Sequence, residues 1–156
     1  MSILSAVGNK QRRASDPPKQ PWYHEGLRFE CQPDCGGCCT NHDEYSYVYL
    51  ENDDLEKLAA FLNLSPQAFV EGYAEVEEGY TFLKMDHPDC PFLKDKRCTV
   101  YAARPTQCRT FPFWGENLRS PARWTRLTCF CPGIDRGEKQ SLALIQGHLG
   151  SRGRSA

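Results

Sequence analysis

Cysteine is the residue that most constrains this chain, because nine of its 156 residues are cysteines. An odd number of thiols cannot pair completely within one chain. The N-terminus does not resemble a signal peptide, since the apolar residues 3–7 form a short stretch and basic residues follow it. We therefore expect a cytoplasmic protein, in which disulfides are rare and grouped thiols bind metal.

Four of the cysteines fall within nine residues, and two glycines lie between the second and the third. The four are Cys31, Cys35, Cys38 and Cys39. Gly36 and Gly37 allow a tight backbone turn that points several thiols at one centre, and short cysteine spacings are typical of zinc and iron–sulfur sites. Adjacent side chains tend to diverge, so Cys38 and Cys39 indicate two metals or a multi-metal centre.

The other five cysteines are spread over residues 90–131: Cys90, Cys98, Cys108, Cys129 and Cys131. A turn over residues 94–97 predicts a hairpin on which Cys90 and Cys98 face each other. Cys129 and Cys131 are two residues apart, which indicates that one of them is not a ligand. The four histidines are not spaced as a metal motif.

Sequence patterns predict an α+β fold of short elements. We expect strands over 27–31, 45–50 and 80–85, and a helix over 53–62 with Asn52 as its N-cap. A second helix begins at Ser65–Pro66 and ends by Gly79, and both helices pack as a hairpin over the cysteine-rich part. Short helices follow Pro105 and Ser120–Pro121, and the last helix covers residues 141–148.

Composition divides the chain into a body and two ends. Residues 1–21 and 149–156 are rich in small, basic and proline residues, so we expect disordered tails around one metal-binding domain over residues 22–148. The body is small and irregular, and a bound metal would offset its ordering entropy.

Charge is balanced overall but not along the chain. The net charge is −1, whereas residues 51–89 carry ten acidic and two basic residues and residues 90–126 carry eight basic and two acidic residues. Net charge near zero argues against generic nucleic-acid or membrane-surface binding, and no apolar run is long enough to span a membrane. Basic groups in the second stretch, such as Arg104 and Arg109, could balance a thiolate centre. The alternative is that these arginines form surface ion pairs.

Together, these motifs resemble the YkgJ-type cysteine-cluster family, expected to chelate zinc or iron. The resemblance rests on the first four cysteines and on three later motifs over residues 26–137: Cys90-Pro-Phe-Leu, Cys98-x-x-Tyr-x-x-Arg-Pro-x-x-Cys-Arg-x-Phe-Pro-Phe and Cys131-Pro-Gly-Ile. The family pattern has two residues where this chain has three, between Cys31 and Cys35. By this resemblance the metal ligands are Cys31, Cys35, Cys38, Cys39, Cys90, Cys98, Cys108 and Cys131, and Cys129 is the spare thiol. The same domain occurs in flagellin lysine N-methylases, which are longer proteins.

The kind of metal and the role stay open at this stage. Eight thiols suit two zinc tetrathiolates, or a 4Fe-4S cluster with a second site, and soft sulfur donors exclude magnesium and calcium. The first hypothesis is therefore a module that chelates zinc or iron, with Arg104 and Arg109 beside the bound group. The second is an iron–sulfur protein of electron transfer or of a flagellin N-methylase-like methyl transfer. An interaction module held together by metal and a radical S-adenosylmethionine site are weaker alternatives. No catalytic residue or protein partner can be named.

Overall fold

The computed structural model describes residues 19–40, 47–85 and 88–152. Its helices and strands are short and alternate along the chain. In order they are β1 (Leu27–Phe29), α1 (Asn52–Phe61), α2 (Pro66–Tyr73), β2 (Ala74–Glu77), β3 (Tyr80–Leu83), β4 (Leu93–Lys94), β5 (Arg97–Cys98), α3 (Thr106–Thr110), α4 (Pro121–Arg126), β6 (Ile134–Gln140) and α5 (Leu142–Arg152). The predicted tails lie largely outside these residues.

The strands form three separate antiparallel pairs, β1 with β6, β2 with β3, and β4 with β5. Helices and small antiparallel pairs together confirm the α+β prediction. Among the described residues, no helix combines the length and the apolar character that a membrane crossing requires.

A first hydrophobic core lies between α1, α2 and the cysteine-rich part. Leu58 of α1 and Phe69 of α2 are fully buried, and Phe92 and Val100 belong to the same group. The rings of Phe69 and Phe92 stack at 6.4 Å between centroids. Because Cys90 and Cys98 pack against this core, the predicted helical hairpin over the cysteines is confirmed.

A second core is built from the C-terminal half. Its buried members include Phe113, Trp114, Trp124 and Ile145. The indole Nε1 of Trp124 donates to Asp135 Oδ1 at 2.8 Å. The aromatic rings of this core are buried, so they are not available to stack on nucleic-acid bases.

The helix starts follow the capping residues closely. Ser65 Oγ accepts from the backbone N–H of Ala68 at 3.1 Å, as its cap position predicts. For α1 the predicted cap was wrong by one residue: the N-cap is Glu51, and Asn52 is the first helical residue. Asp54 Oδ2 accepts from the N–H of Glu51, and its Oδ1 accepts from Thr106 N and Oγ1, both at 2.9 Å. This buried carboxylate therefore fixes α1 against α3.

Two elements differ from the sequence prediction. The second helix ends at Tyr73 because Ala74–Glu77 pairs with β3 through a turn at Glu78 and Gly79, whose φ angles are 51° and 83°. Such a left-handed turn matches the twist of a two-stranded hairpin. Strand β6 was not predicted, since its residues after Ile134 are exposed or half-buried polar side chains without alternation.

The ends of two further elements also shift. Helix α5 runs to Arg152, four residues beyond the predicted end at His148. Residues 47–50 pair with β3 through two backbone hydrogen bonds. Leu50 N donates to Thr81 O at 2.8 Å, and Leu83 N donates to Val48 O at 2.9 Å. Residues 45 and 46 of that predicted strand lie outside the described residues.

Candidate metal centre

A glycine turn shapes the segment that carries the first four cysteines, of which Cys38 is exposed and the other three are half-buried. Gly36 has φ 63°, and a Cβ there would lie 2.9 Å from Leu93 Cδ1. A Cβ on Gly37 would collide with the carbonyl oxygen of Phe130. Only glycine therefore fits between the β4–β5 hairpin and the segment that leads to Cys131. The 3-10 turn Gly37–Cys39 follows directly.

Backbone hydrogen bonds fix the middle cysteines beside this turn. Cys90 N donates to Cys39 O at 2.7 Å, and Leu93 N donates to Cys90 O at 3.0 Å. Cys98 lies on β5 and pairs with Leu93. The prediction that Cys90 and Cys98 face each other across the hairpin was wrong in register, because Cys90 lies in the turn before β4.

The last ligand candidates come from two short turns. Pro105 precedes α3, which carries Cys108, and Arg109 N donates to Pro105 O at 3.0 Å. Cys131 N donates to Leu127 O at 2.8 Å, at the end of a 3-10 turn. Pro105 predicted the short helix that carries Cys108, whereas the 3-10 turn Leu127–Cys129 before Cys131 was not predicted.

All eight predicted thiols line one cleft, which we call the thiol cleft. They come from five separate stretches of chain: Cys31, Cys35, Cys38, Cys39, Cys90, Cys98, Cys108 and Cys131. The cleft has about 700 Å³ of free space, part of it open solvent. Leu83, Phe92 and Phe111 contribute apolar walls. Cys129 is exposed and is not among the lining residues, whereas Cys131 is buried.

Four of the thiols influence one another's acidity through Cys39, and we call them the quartet. The Cys39 thiol makes side-chain hydrogen bonds with Cys38, Cys90 and Cys98. The expected divergence of the adjacent Cys38 and Cys39 side chains does not occur, because the turn brings both sulfurs together.

Sharing the proton of Cys39 changes the acidity of its neighbours. The hydrogen bond with Cys39 lowers the pKa of Cys38 to about 7 and that of Cys98 to about 6. The pKa of Cys90 is also lowered, chiefly by its hydrogen bond with Cys39. The same bonds raise the pKa of Cys39. Thiolates, the form that binds metal, are therefore accessible near neutral pH.

The remaining thiols have other contacts. Desolvation raises the pKa of Cys131 to about 11 and also raises that of Cys108. Cys35 Sγ accepts from the backbone N–H of Gly37 at 3.4 Å. A hydrogen bond joins Cys31 to the Tyr101 hydroxyl and raises the pKa of that hydroxyl.

Arg104 supplies positive charge to the thiol cleft. Its Cζ lies 3.6 Å from the centroid of the Tyr101 ring, and its buried Nε has no hydrogen-bond partner among the described residues. The pKa of Cys98 is lowered chiefly by its hydrogen bond with Cys39, and the charge of Arg104 lowers it further. Tyr101 was not predicted as a site residue, although its spacing of three from Arg104 could have indicated it.

Arg109 is placed elsewhere. It does not line the thiol cleft, its Nη2 donates to Thr106 Oγ1 at 2.9 Å, and the same atom lies 3.9 Å from Asp54 Oδ1. The predicted role of Arg109 beside a bound group is therefore not supported, because its side chain is exposed and pairs with the Asp54 carboxylate that joins α1 to α3.

The donor set fits a soft metal ion. Within the described residues the lining of the cleft includes no His, Asp or Glu, and sulfur donors favour zinc, iron or copper(I). No three His, Cys, Asp or Glu side chains of these residues are grouped as the ligands of one bound ion would be. Ligation would therefore replace the thiol hydrogen bonds and draw the sulfurs inward, and the unpartnered Arg104 Nε suits the resulting negative charge.

Comparisons with known proteins agree with this chemistry. The sequence model of one protein family, CxxCxxCC, matches residues 30–132, and its description reads "Putative zinc- or iron-chelating domain". An uncharacterized protein of Methanocaldococcus jannaschii is 31% identical over 94 residues, which are 58% of this chain and 48% of that protein. The chain thus spans about half the length of this curated relative. No solved structure matches this chain.

Proposed function

Since the chain belongs to the CxxCxxCC family, we propose that it binds zinc or iron through the eight thiolates of the thiol cleft. One observation carries this proposal. Eight cysteines from five stretches of chain line one cleft, while the ninth, Cys129, is exposed and stays outside it. Thiols that served only as small buried hydrophobic groups would have no reason to converge.

Zinc would give this chain a structural centre. Four thiolates complete the zinc coordination shell and leave no open position for substrate. Each such site carries a net charge of about −2, from one divalent cation and four thiolates, and Arg104 is the cleft residue that offsets it. Because the site forms only in the folded chain, the binding free energy adds to folding stability. Residues 22–148 would then act as one metal-stabilised domain.

An iron–sulfur cluster, for example 4Fe-4S, is the second candidate. Eight lining thiols are more than one zinc ion requires, and the Gly37 N–H that points at Cys35 Sγ is the kind of contact that tunes a cluster's reduction potential. Electron transfer, or methyl transfer of the flagellin N-methylase type, would follow from this form.

The thiol chemistry also favours one cellular compartment. Free thiols that must remain reduced to bind metal favour the cytoplasm. The partner we propose is therefore the metal ion itself, with no membrane or nucleic-acid partner.

Metal analysis of anaerobically purified protein tests the proposal. We expect stoichiometric zinc in a colourless protein, or iron with sulfide in a brown one. The Cys129→Ser variant is the matched control and should retain the same metal content. Wild-type protein that folds yet takes up no zinc, and no iron after anaerobic reconstitution with iron and sulfide, would refute the proposal.

A further inference from the structure

We propose that one exposed sheet face of this chain is a docking surface for a protein segment that presents arginine side chains. This role goes beyond metal binding and does not depend on the thiol cleft. We call the surface the tyrosine face, and its members are three tyrosines, one phenylalanine and two glutamates: Tyr47, Tyr49, Tyr80, Phe82, Glu75 and Glu77.

The four aromatic rings share one side of a three-stranded sheet. Residues 47–50 pair with one edge of β3, and β2 pairs with the other edge. Tyr49 lies opposite Phe82 in an antiparallel β-bridge. Opposed residues share a face, and so do residues two apart on one strand. Tyr47 and Tyr80 therefore lie on the same side of the sheet.

Ring contacts shape this side and leave it open to solvent. The centroids of Tyr47 and Phe82 are 5.4 Å apart and those of Tyr49 and Tyr80 are 5.9 Å apart, both edge-to-face. Phe82 is buried, whereas the exposed fraction is 53% for Tyr47, 37% for Tyr49 and 46% for Tyr80. A contiguous group of exposed rings is typical of an interaction surface.

A buried glutamine fixes the strand that carries two of these rings. Gln107 Oε1 accepts from Tyr49 N at 3.0 Å, and Gln107 Nε2 donates to Tyr47 O at 2.8 Å. Gln107 belongs to α3, so the outer edge of residues 47–50 is bonded to the body of the protein. The rings are thus in position before a partner arrives, which lowers the ordering cost of binding.

Two carboxylates lie on the same side as the rings. Glu77 is opposite Tyr80 and Glu75 is opposite Phe82, and both glutamates are exposed. In the described part of the chain, the ion pairs involve neither of them. An apolar partner would desolvate these carboxylates, and an anionic partner would be repelled. The tyrosine face therefore fits a partner with positive charge.

Arginine matches both the rings and the carboxylates. Its guanidinium plane stacks on aromatic rings, and its N–H groups form paired hydrogen bonds with a carboxylate. The same chain already contains the ring contact, since Arg104 Cζ lies 3.6 Å from the centroid of Tyr101. Lysine offers a compact and more strongly hydrated charge without this plane. We therefore assign arginine side chains to the partner.

Isothermal titration calorimetry of the full-length protein with the synthetic peptide (Gly-Arg)4 tests the proposal. We expect binding that weakens with added salt, weaker binding of (Gly-Lys)4 and no binding of (Gly-Glu)4. Tyr80→Leu keeps an apolar side chain but removes the ring, and it should weaken (Gly-Arg)4 binding roughly two- to fivefold. The double variant Glu75→Gln/Glu77→Gln should weaken binding at least as much.

The matched control is Glu25→Gln/Glu138→Gln, which removes the same charge from exposed residues outside the tyrosine face and should bind like the wild type. Equal weakening in both double variants would show attraction by overall charge alone and overturn the proposal. Unchanged binding in Tyr80→Leu would indicate an apolar contact and overturn it too, as would equal binding of (Gly-Lys)4 or no binding of (Gly-Arg)4 at low salt. Circular dichroism checks the fold, and the glutamate variants decide the test if Tyr80→Leu does not fold.

Discussion

Hydrogen bonding with Cys38, Cys90 and Cys98 raises the pKa of Cys39, and it lowers the pKa of those three neighbours. A hydrogen bond to a thiolate favours the charged form and lowers its pKa, whereas the donor keeps its proton. Cys38 is the exposed member of the quartet, so its reactivity can be followed from solution.

Alkylation of Cys38 in the metal-free protein should depend on pH with a midpoint near 7. Its pKa lies below the ordinary 9.0, chiefly because of the Cys39 hydrogen bond, so the reactive thiolate persists down to lower pH. Rates of iodoacetamide labelling, read by mass spectrometry, check this. In Cys39→Ala the midpoint should rise toward 9, and an unchanged midpoint would contradict the role given to Cys39.

Replacing Arg104 should weaken metal binding. Arg104→Gln removes a positive charge from the cleft, so the negatively charged thiolates are less stable there. We therefore expect a loss of roughly tenfold in zinc affinity at pH 7. Competition with a chromophoric chelator measures it. Arg104→Lys should retain most of the affinity, and Arg119→Gln, on an exposed side chain outside the cleft, should match the wild type. Equal affinities in Arg104→Gln and the wild type would remove Arg104 from the site.

At the scale of single residues the sequence was informative about chemistry and less so about placement. Cysteine spacing and the Arg104–Pro105 motif predicted the contents of the cleft. The position of Arg109 depended on its attraction to the buried Asp54, a tertiary contact between two helices that no local pattern reveals.

Among the elements, the 3-10 turn Gly37–Cys39 leaves no room for a side chain at its first residue. It lies against Phe130 on one side and follows Gly36, which packs on Leu93. Any side chain at Gly37 must move this turn away from the Cys131 segment.

Gly37→Ala should destabilise the protein by about 1–3 kcal/mol, the usual cost of forcing extra carbon into a packed site, and should weaken metal binding. Urea unfolding measures the change. Gly72→Ala is the matched control, because nothing lies within 4 Å of a Cβ added at this position of α2. There alanine should raise the free energy of unfolding by about 0.5–1 kcal/mol. A Gly37→Ala variant as stable as wild type would show that the turn can shift at no cost.

Elements with strong end signals were predictable. Ser65 and Ser120 accept helix N-terminal bonds where the sequence placed them. Strands β2 and β6 were not predictable, because their side chains are mostly exposed and polar. These two strands are determined by backbone pairing, β2 with β3 and β6 with β1.

In the molecule as a whole, two hydrophobic cores meet at the thiol cleft. Cys90 and Cys98 pack on the first core, and Cys131 is part of the second. Metal centres in the cleft would therefore link the halves, in addition to the packing of each core.

Removing metal should lower thermal stability strongly. Zinc at about 1,000 times its Kd stabilises the folded state by about 4 kcal/mol, which corresponds to roughly 10 °C in Tm for a chain of this size. Scanning calorimetry with and without a chelator measures the difference. Cys129→Ser should show the same shift, and an unchanged Tm in the chelator would mean that the two cores hold together without metal.

The exposed position of Cys129 has a practical consequence for anyone who handles this protein. In air, a surface sulfur of this kind couples two chains, and the product on a non-reducing gel would imitate a native dimer. The serine variant removes this source of dimers. In the metal-loaded protein, where Cys38 would be a ligand, the same sulfur offers a handle for attaching a dye away from the cleft.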